Sequence, residues 1–301
     1  MSMSSMSKRR NTNRLKACFC LRKSHLVKLS SLALLLILWS SPSSGIGTSK
    51  LQEPQKGEEI QDDLVDITIF HTSDEHGWLE PSQPPGSPNV VGGAANFRSW
   101  LLEKEGFSST SYLLLSSGDN WTGPAISTWF AGAPMVEAFN ILGYDAIAIG
   151  NHEFDFGRSV MLQRFDASDA PYLGANIRDI GTQRLPFFAV PYLIKEIDGV
   201  SVGILGLANE GTHTCTHPLS TIDVDFLPYA EVIDHYVPKM RKEGVEVVVI
   251  IAHECRQELT QALMDAKSKV DAVFGAHCHN QFNTEVRGIR LMGSGWALRS
   301  Y

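Results

Sequence analysis

Short apolar runs alternate along the chain with longer segments in which hydrophobic positions recur at helical spacing. Two of the runs, 112–115 and 247–251, are apolar at every position, whereas a strand with one face in solvent would alternate with polar residues. Burial on both faces requires helices on both sides of the sheet. The pattern therefore predicts an α/β fold that begins near residue 64.

The predicted elements alternate in type, as expected for a chain built from αβ units. The predicted strands are 65–71, 111–116, 146–149, 200–207, 245–252 and 270–274. The predicted helices are 94–105, 134–142, 230–243 and 257–269. The segment 81–88 is rich in Pro, Ser and Gly, which predicts a surface loop, and 288–296 has the composition of a further strand.

The first 45 residues have the order of charged and apolar residues found in a secretory signal. Basic residues precede an apolar run at 29–39, and small residues follow it at 40–45. The run is too short to span a bilayer comfortably, since that takes about 20 residues. We predict a cleaved signal and a secreted protein, or one on the extracellular face of a membrane. An uncleaved membrane anchor and a basic tail beside a short buried helix are the alternatives. The polar stretch 46–63 is then a linker, and 64–301 is the folded domain.

The charge and the cysteine content limit the partners and the disulfides. A formal net charge of -7 provides no basic field to hold a polyanion, so nucleic acid is not expected to be the main partner.

Outside the predicted signal the cysteines are Cys215, Cys255 and Cys278, an odd number. One disulfide and one free thiol would suit a secreted protein, and the spacing does not select the pair.

Residues that can bind metal ions follow the predicted strands, where this class of fold places its binding crevice. Asp74 and His76 are two residues apart, a spacing that lets an extended segment direct both side chains to one ion. Asp119 follows the second strand, and its two oxygens could bridge two cations. Taken alone, the first motif is better explained by a solvated loop, and Asp119 by a turn or N-cap residue.

Later motifs add to this set. Asn151 offers a carbonyl oxygen, and the adjacent His152 would point elsewhere, free to act on a substrate. Asp155 could orient and charge-stabilise the His152 imidazole if the turn brings them together. Three more histidines follow apolar strands, namely His253, His277 and His279. The spacing of the last two again places both side chains on one side of an extended segment.

The order and identity of these motifs resemble the five-block signature of the calcineurin-like metallophosphoesterases. The blocks are D-x-H at 74–76, G-D at 118–119, G-N-H-E at 150–153, a strand-end His253, and G-x-H-x-H at 275–279. The strings HTSDEHG and GNHEFDFG resemble the 5'-nucleotidases in particular, a family that also includes sugar-nucleotide hydrolases. The resemblance covers residues 64–301 and implies an α/β four-layer sandwich, α/β/β/α, with two sheets flanked by helices.

The resemblance also implies roles for individual residues. One divalent metal ion would be held by Asp74, His76, Asp119 and His279. The other would be held by Asp119, Asn151, His253 and His277. His152 and Asp155 would form a catalytic dyad, in which His152 stabilises charge on the transferring phosphoryl group or protonates the leaving oxygen. The ligands suit Zn, Mn, Fe or Co, and the two ions would activate a water for attack on phosphorus.

The predicted reaction is hydrolysis of a phosphate ester, with a 5'-nucleotide or a related small phosphate compound as substrate. The family normally adds a second domain that selects the nucleotide. That domain is expected to be absent here, because the chain is either a truncated gene product or a single-domain relative with an open site. The resemblance therefore names no substrate-binding residue. The alternatives are a sugar-nucleotide or cyclic-nucleotide phosphodiesterase, and a secreted or membrane-tethered metal-binding module without useful catalysis.

The remaining histidines are not expected to take part. A second cluster, His213, Cys215 and His217, could bind a metal by its alternation, but it lies in a polar loop outside the family's ligand set. His71 is expected to face the core or a neighbouring loop, and His235 the exposed face of a helix.

Overall fold

The computed structural model describes residues 17–22, 64–84, 86–104, 106–108 and 111–299. Residues 17–22 form strand β1 (Ala17–Arg22). The rest of the predicted signal, with its apolar run, and the linker at 46–63 lie outside the described residues. The backbone divides into two units, of which one comprises Cys20–Asp66, and the domain described below belongs to the other from Ile67 onward. Within the described residues, no helix has the length and apolar content needed to cross a bilayer.

Four strands of the first sheet are parallel and follow one another in chain order. They are β2 (Leu64–Thr72), β3 (Tyr112–Ser116), β4 (Ala146–Ala148) and β5 (Tyr172–Leu173). The helices between them are α1 (Ala94–Lys104), α2 (Ala125–Thr128), α3 (Ala133–Leu142) and α4 (Arg158–Asp166). Leu114 of β3 packs in one core cluster with Phe97 of α1 and Phe139 of α3. Its neighbours Leu113 and Leu115 are fully buried outside that cluster, as expected for a strand covered on both faces.

The second sheet is mixed. The remaining strands are β6 (Ile177–Asp179), β7 (Tyr192–Ile197), β8 (Val200–Leu207), β9 (Val224–Phe226), β10 (Val247–Ala252), β11 (Ala272–Gly275), β12 (Gln281–Val286) and β13 (Ile289–Ser294). The remaining helices are α5 (Thr212–Cys215), α6 (Tyr229–Lys242) and α7 (Arg256–Asp265), with 3₁₀ turns at His152–Phe154 and Pro218–Ser220. The sheet has the order β12, β13, β11, β10, β8, β7, with antiparallel hairpins at both edges and parallel strands between them. Strands β6 and β9 pair separately.

The two sheets pack face to face. Strand β8 lies against β4 and β5, and a Cβ atom added to Gly206 of β8 would be 2.1 Å from the Leu173 Cβ of β5. On the outer face of the second sheet, Val248 and Ile250 pack with Val237 of α6 and Leu259 of α7. Helices therefore cover the outer face of each sheet. The predicted four-layer α/β/β/α sandwich is confirmed.

All predicted strands and helices are present, with ends shifted by a few residues. The largest shift is in α7, which ends at Asp265, whereas the sequence predicts an end at 269. The carboxylate of Asp234 in α6 accepts hydrogen bonds from the backbone N–H groups of Lys267 (2.9 Å) and Ser268 (2.7 Å). These bonds hold the segment after Asp265 in a turn, and their partner is remote in sequence.

Edge strands were missed by the sequence prediction. Strand β12 alternates between exposed and partly buried residues up to Val286, and β7 is mostly partly exposed up to Ile197. Because an edge strand needs few apolar residues, its composition resembles that of a loop. In the described part of the predicted loop 81–88, the only strand-like contact is the bridge from Ser82 to Val91.

Candidate metal centre

The loops that follow strands of both sheets meet at one edge of the sandwich. From the first sheet they carry Asp74 after β2, Asp119 after β3 and Asn151 after β4. From the second sheet they carry His253 after β10, with His277 and His279 after β11. Their convergence at the carboxyl ends of parallel strands is the arrangement expected for a binding crevice in this class of fold.

The first group that could hold a metal ion comprises Asp74, His76 and His279, whose ligand atoms all lie within 4.8 Å of one another. The Nε2 atoms of His76 and His279 are 3.0 Å apart, and His279 Nε2 is 3.6 Å from Asp74 Oδ1. Two imidazole nitrogens and a carboxylate oxygen directed at a common point are suitable ligands for a divalent cation.

The second group comprises Asp119, His253 and His277, also within 4.8 Å of one another. His253 Nε2 lies 2.9 Å from Asp119 Oδ2 and 3.2 Å from His277 Nδ1. Asp119 Oδ2 is also 3.9 Å from His76 Nε2 of the first group. Asp119 therefore stands between the two groups, as a carboxylate that bridges two cations would.

Two buried oxygen atoms at this edge indicate that the donor set fits a cation. Asp74 Oδ2 and Asn151 Oδ1 are both buried and without a hydrogen-bond partner. A buried polar atom without a partner is costly, and a bound cation would satisfy both oxygens. Burial also raises the pKa of Asp74 to about 8, which shows how strongly the site disfavours an uncompensated carboxylate.

Asp119 and His253 form the buried ion pair of the site. Burial opposes ionisation of Asp119, but the adjacent His253 outweighs it and holds the pKa of Asp119 below its usual range. Burial likewise opposes a charge on His253, yet Asp119 raises the pKa of His253 to about 10. Because a proton on His253 stands where a metal ion would bind, metal binding is expected to release that proton.

The ligand loops are tight turns, which differs from the extended geometry assumed in the sequence analysis. Strand β2 ends at Thr72, and Asp74 and His76 both have positive φ, at 50° and 45°. His277 and His279 are also left-handed, at 64° and 55°, and belong to different groups. The prediction that the members of each pair share a side by strand alternation was therefore wrong in its geometry, although the structure brings all four side chains to the site.

Backbone carbonyls orient two of the imidazoles. The Nδ1 atom of His76 is 2.9 Å from the Thr122 carbonyl, and Nδ1 of His253 is 2.8 Å from the Ser117 carbonyl. Such a contact requires a proton on Nδ1, which leaves Nε2 as the lone-pair atom facing the site. Both rings are thereby oriented so that Nε2, once it carries no proton, presents its lone pair to the site as a metal ligand needs.

His152 and Asp155 lie beside the two groups. His152 Nδ1 is 2.6 Å from Asp155 Oδ2, and His152 Nε2 is 4.0 Å from Asp119 Oδ2. Asp155 also accepts hydrogen bonds from Thr122 (2.6 Å) and Thr216 (3.0 Å). The hydrogen bond from His152 to Asp155 raises the pKa of His152 to about 9. The side chain of His152 is 32% exposed, so it can reach a bound substrate.

His152 also belongs to a third metal-compatible group with His76 and Asp119. Its position is compatible with a ligand role and with a catalytic role. The ligand set and the His152–Asp155 dyad therefore stay predictions.

Two fully buried glutamates support the ligand loops and were not singled out from the sequence. The carboxylate of Glu75 accepts hydrogen bonds from Thr72, from Ser116 at 3.2 Å and from Asn120 at 2.6 Å. Glu153 accepts hydrogen bonds from the backbone N–H groups of Asp119 (2.9 Å), Asn120 (2.8 Å) and Gly150 (2.8 Å). In the sequence, these glutamates could have been recognised as charged residues within motifs that are rich in potential metal ligands.

Replacing Glu153 with alanine is expected to destabilise the fold by at least about 3 kcal/mol, because three buried N–H groups lose their acceptor. Urea unfolding of the metal-free variant measures this loss. Glu137→Ala, an exposed site on α3, is the matched control and should change the free energy of unfolding by less than about 0.5 kcal/mol. A Glu153→Ala loss no larger than that of the control would contradict the role given to this carboxylate.

Gly150 lies against the central carboxylate. A Cβ atom at this position would be 2.2 Å from Asp119 Oδ1 and 2.6 Å from Asp119 N, so Gly150→Ala must displace Asp119. We expect metal affinity to fall about 10- to 100-fold, as when the support of a metal ligand is lost. Titration with manganese measures this. Gly181→Ala, where the nearest atom is 3.5 Å away, should bind normally, and equal affinities for the two variants would contradict the prediction.

His71 and His235 lie where the sequence predicts them. His71 is buried, contacts Ser117 Oγ through Nε2 at 2.8 Å and stacks on Phe274. His235 is exposed on α6. His213 packs against Phe226, and His217 accepts a hydrogen bond from the N–H group of Leu219. Among the described residues, no metal-compatible group contains either of these two histidines.

The structure resolves the disulfide question that the sequence left open. Cys255 and Cys278 are bonded, with their Cα atoms 5.3 Å apart, and Cys215 is a free, exposed thiol. The bonded pair lies directly beside the histidine loops of the site.

A cavity of about 590 Å³ opens next to the second ligand group. His277 forms part of its wall, together with Asn209, Glu210, Tyr229 and Glu258. The cavity is large enough to receive the organic part of a small phosphate ester.

Comparison with known proteins agrees with this geometry. A model of the calcineurin-like phosphoesterase family matches residues 67–281. UshA of Yersinia enterocolitica is 33% identical over 196 residues, which cover 64% of this chain and 34% of that protein. A snake venom 5'-nucleotidase of Gloydius brevicauda is 29% identical over 219 residues, which cover 70% of this chain and 37% of that protein. The chain thus spans only about a third of the length of these curated relatives.

Solved structures share the fold. A 5'-nucleotidase precursor from Thermus thermophilus superposes with a TM-score of 0.67 at 24% identity, over 77% of this chain and 49% of that one. The calcineurin-like phosphoesterase YfkN of Bacillus subtilis has a TM-score of 0.65 at 20% identity, over 76% of this chain and 81% of that one. Since the family model matches most of the sandwich and its strand ends carry these His and Asp clusters, the chain belongs to the calcineurin-like phosphoesterase family.

Proposed function

We propose that the protein hydrolyses phosphate esters, with 5'-nucleotides as the leading substrate class and two divalent ions, Zn, Mn, Fe or Co, as cofactors. The observation that carries the proposal is the position of Asp119 between two His and Asp groups, with the His152–Asp155 pair beside them. Bound there, two cations would supply an activated water and neutralise charge on the phosphoryl group.

Individual residues of the site would have separate roles in metal binding and in the reaction. Asp74, His76, Asp119 and His279 would hold one ion, and Asp119, Asn151, His253 and His277 the other. Asp155 fixes the proton on His152 Nδ1, so that Nε2 faces the space where the phosphoryl oxygens would lie. From there His152 can donate a hydrogen bond to a phosphoryl oxygen or a proton to the leaving oxygen.

Two features support the substrate class and the compartment. Relatives named as 5'-nucleotidases support a nucleotide substrate, although this chain covers only 37% and 41% of the length of two of them. The Cys255–Cys278 disulfide supports an oxidising compartment, in line with the predicted secretory signal and with relatives from venom. We propose that the protein acts outside the cytosol.

The experiment is a hydrolysis assay on the full chain, purified metal-free and then supplied with manganese or zinc. Substrates are nucleoside monophosphates, sugar nucleotides, a cyclic nucleotide and a simple alkyl phosphate. Metal-dependent phosphate release from nucleoside monophosphates is expected, with unchanged release in the exposed control His235→Ala. Preference for a diester would replace the 5'-nucleotidase assignment, and no turnover of any ester by folded, metal-loaded protein would refute the proposal.

A further inference from the structure

The disulfide joins the two turns of the second sheet that carry histidine ligands. Cys255 follows His253 by two residues, and Cys278 lies directly between His277 and His279. The bond therefore connects the turn after β10 to the turn after β11 at the positions nearest to the site. The two crosslinked residues therefore lie within two residues of three imidazoles of the site, which points to a role beyond general stability.

The turn around Cys278 has a backbone conformation that other contacts must stabilise. His277 and His279 both have left-handed φ values, 64° and 55°, which are unfavourable for residues other than glycine. Backbone hydrogen bonds from Ala276 N to Glu254 O (2.9 Å) and from Cys278 N to Ala276 O (2.7 Å) begin the turn. The N–H group of His277 also donates to Asp74 Oδ1 at 3.0 Å, and the bond to Cys255 fixes the residue between the two histidines.

The crosslink can be reached from solvent. Cys278 is exposed and Cys255 partly exposed, and both contribute to the wall of a groove with Arg256, Gln257 and Asn280. A small reductant can therefore contact the sulfur atoms without unfolding the domain, as for other exposed disulfides.

We propose that the Cys255–Cys278 disulfide is a positioning element of the metal centre, and that its reduction reversibly weakens metal binding. In the reduction, a phosphine supplies two electrons, the S–S bond breaks, both sulfurs become thiols, and the phosphine takes an oxygen from water. The turn after β11 can then relax from its left-handed conformations. The imidazoles of His277 and His279 lose their fixed direction toward His253 and Asp74. This inference rests on the proposed metal centre and adds a redox dependence to it.

The test uses cobalt(II) binding to the full chain and needs no substrate. All proteins carry Cys18→Ser, Cys20→Ser and Cys215→Ser, so that no other thiol can exchange with the disulfide. The oxidised protein, the phosphine-reduced protein and the double variant Cys255→Ser/Cys278→Ser are titrated with cobalt. We expect about 10- to 100-fold weaker binding and an altered visible cobalt spectrum in the last two, with recovery when the reduced protein is reoxidised.

A stability control separates positioning from a general loss of structure. Met240→Ala removes a fully buried side chain of α6, away from both turns, and lowers global stability with the disulfide intact. It should keep the cobalt affinity and spectrum of the parent. Equal affinities and spectra for oxidised and reduced protein overturn this inference alone. Failure of the oxidised protein to bind cobalt overturns the proposed metal centre together with it.

Discussion

Replacing Asp119 with alanine is expected to remove bound metal and phosphoesterase activity together. Its carboxylate lies 2.9 Å from His253 Nε2 and 3.9 Å from His76 Nε2, between the two ligand groups, where a ligand shared by both ions would lie. Loss of a ligand shared by two ions should weaken both sites, whereas loss of an outer ligand such as His279 should weaken one. We expect metal affinity to fall by more than about 100-fold, beyond the effect of losing a supporting contact.

Metal analysis after dialysis and the turnover rate check this prediction on the same sample. Asp166→Ala removes an exposed aspartate of α4 and serves as the charge-matched control, with metal content and activity expected at the level of the parent. Asp119→Ala also leaves His253 without its buried partner, so its folding is verified by circular dichroism. A folded variant that retains two metal ions per chain would contradict the bridging position.

The central strands and the chemistry of their ends could be predicted from the sequence. The run 247–251 is apolar at each position, and β10 is buried throughout because its two faces meet β4 on one side and α6 and α7 on the other. The motif residues follow such strands directly. Local sequence therefore determined both where each strand ends and which side chains stand at its end.

The geometry of the ligand turns could not be predicted, because it depends on contacts between segments distant in sequence. The N–H group of Asp74 donates to Gly118 O, and that of His277 donates to Asp74 Oδ1. These bonds stabilise left-handed conformations that the residues at 74 and 277 would not adopt alone. Strand alternation therefore predicted that these side chains lie together for a geometric reason that does not hold.

The same limit explains the disulfide and the buried glutamates. The choice between Cys215, Cys255 and Cys278 depends on which turns meet in space, and spacing along the chain contains no such information. Glu153 is buried because its carboxylate oxygens face three backbone N–H groups gathered from two loops. In the sequence, a carboxylate that accepts hydrogen bonds from backbone N–H groups has the same pattern as one that binds a metal ion or is exposed to solvent.

Replacing His152 with alanine is expected to leave metal binding nearly intact and to reduce turnover by about 10²- to 10⁴-fold, the usual contribution of a positioned general acid or charge stabiliser. The expectation follows from its partner, since His152 Nδ1 is held by Asp155 at 2.6 Å and its Nε2 is 4.0 Å from Asp119 Oδ2. If His152 were a metal ligand instead, the variant would lose metal along with activity. Metal analysis of His152→Ala beside Asp119→Ala distinguishes the two roles.

The size of the His152→Ala loss for different leaving groups identifies the role of the imidazole. A nitrophenolate leaves without a proton, whereas an alkoxide such as the 5'-oxygen of a nucleoside needs one. If His152 protonates the leaving oxygen, the variant should lose much more activity on an alkyl phosphate than on a nitrophenyl phosphate. If it stabilises phosphoryl charge, the two losses should be similar. Asp155→Asn should reproduce the same dependence with smaller losses, because Asp155 is expected to act on the substrate through His152 Nδ1.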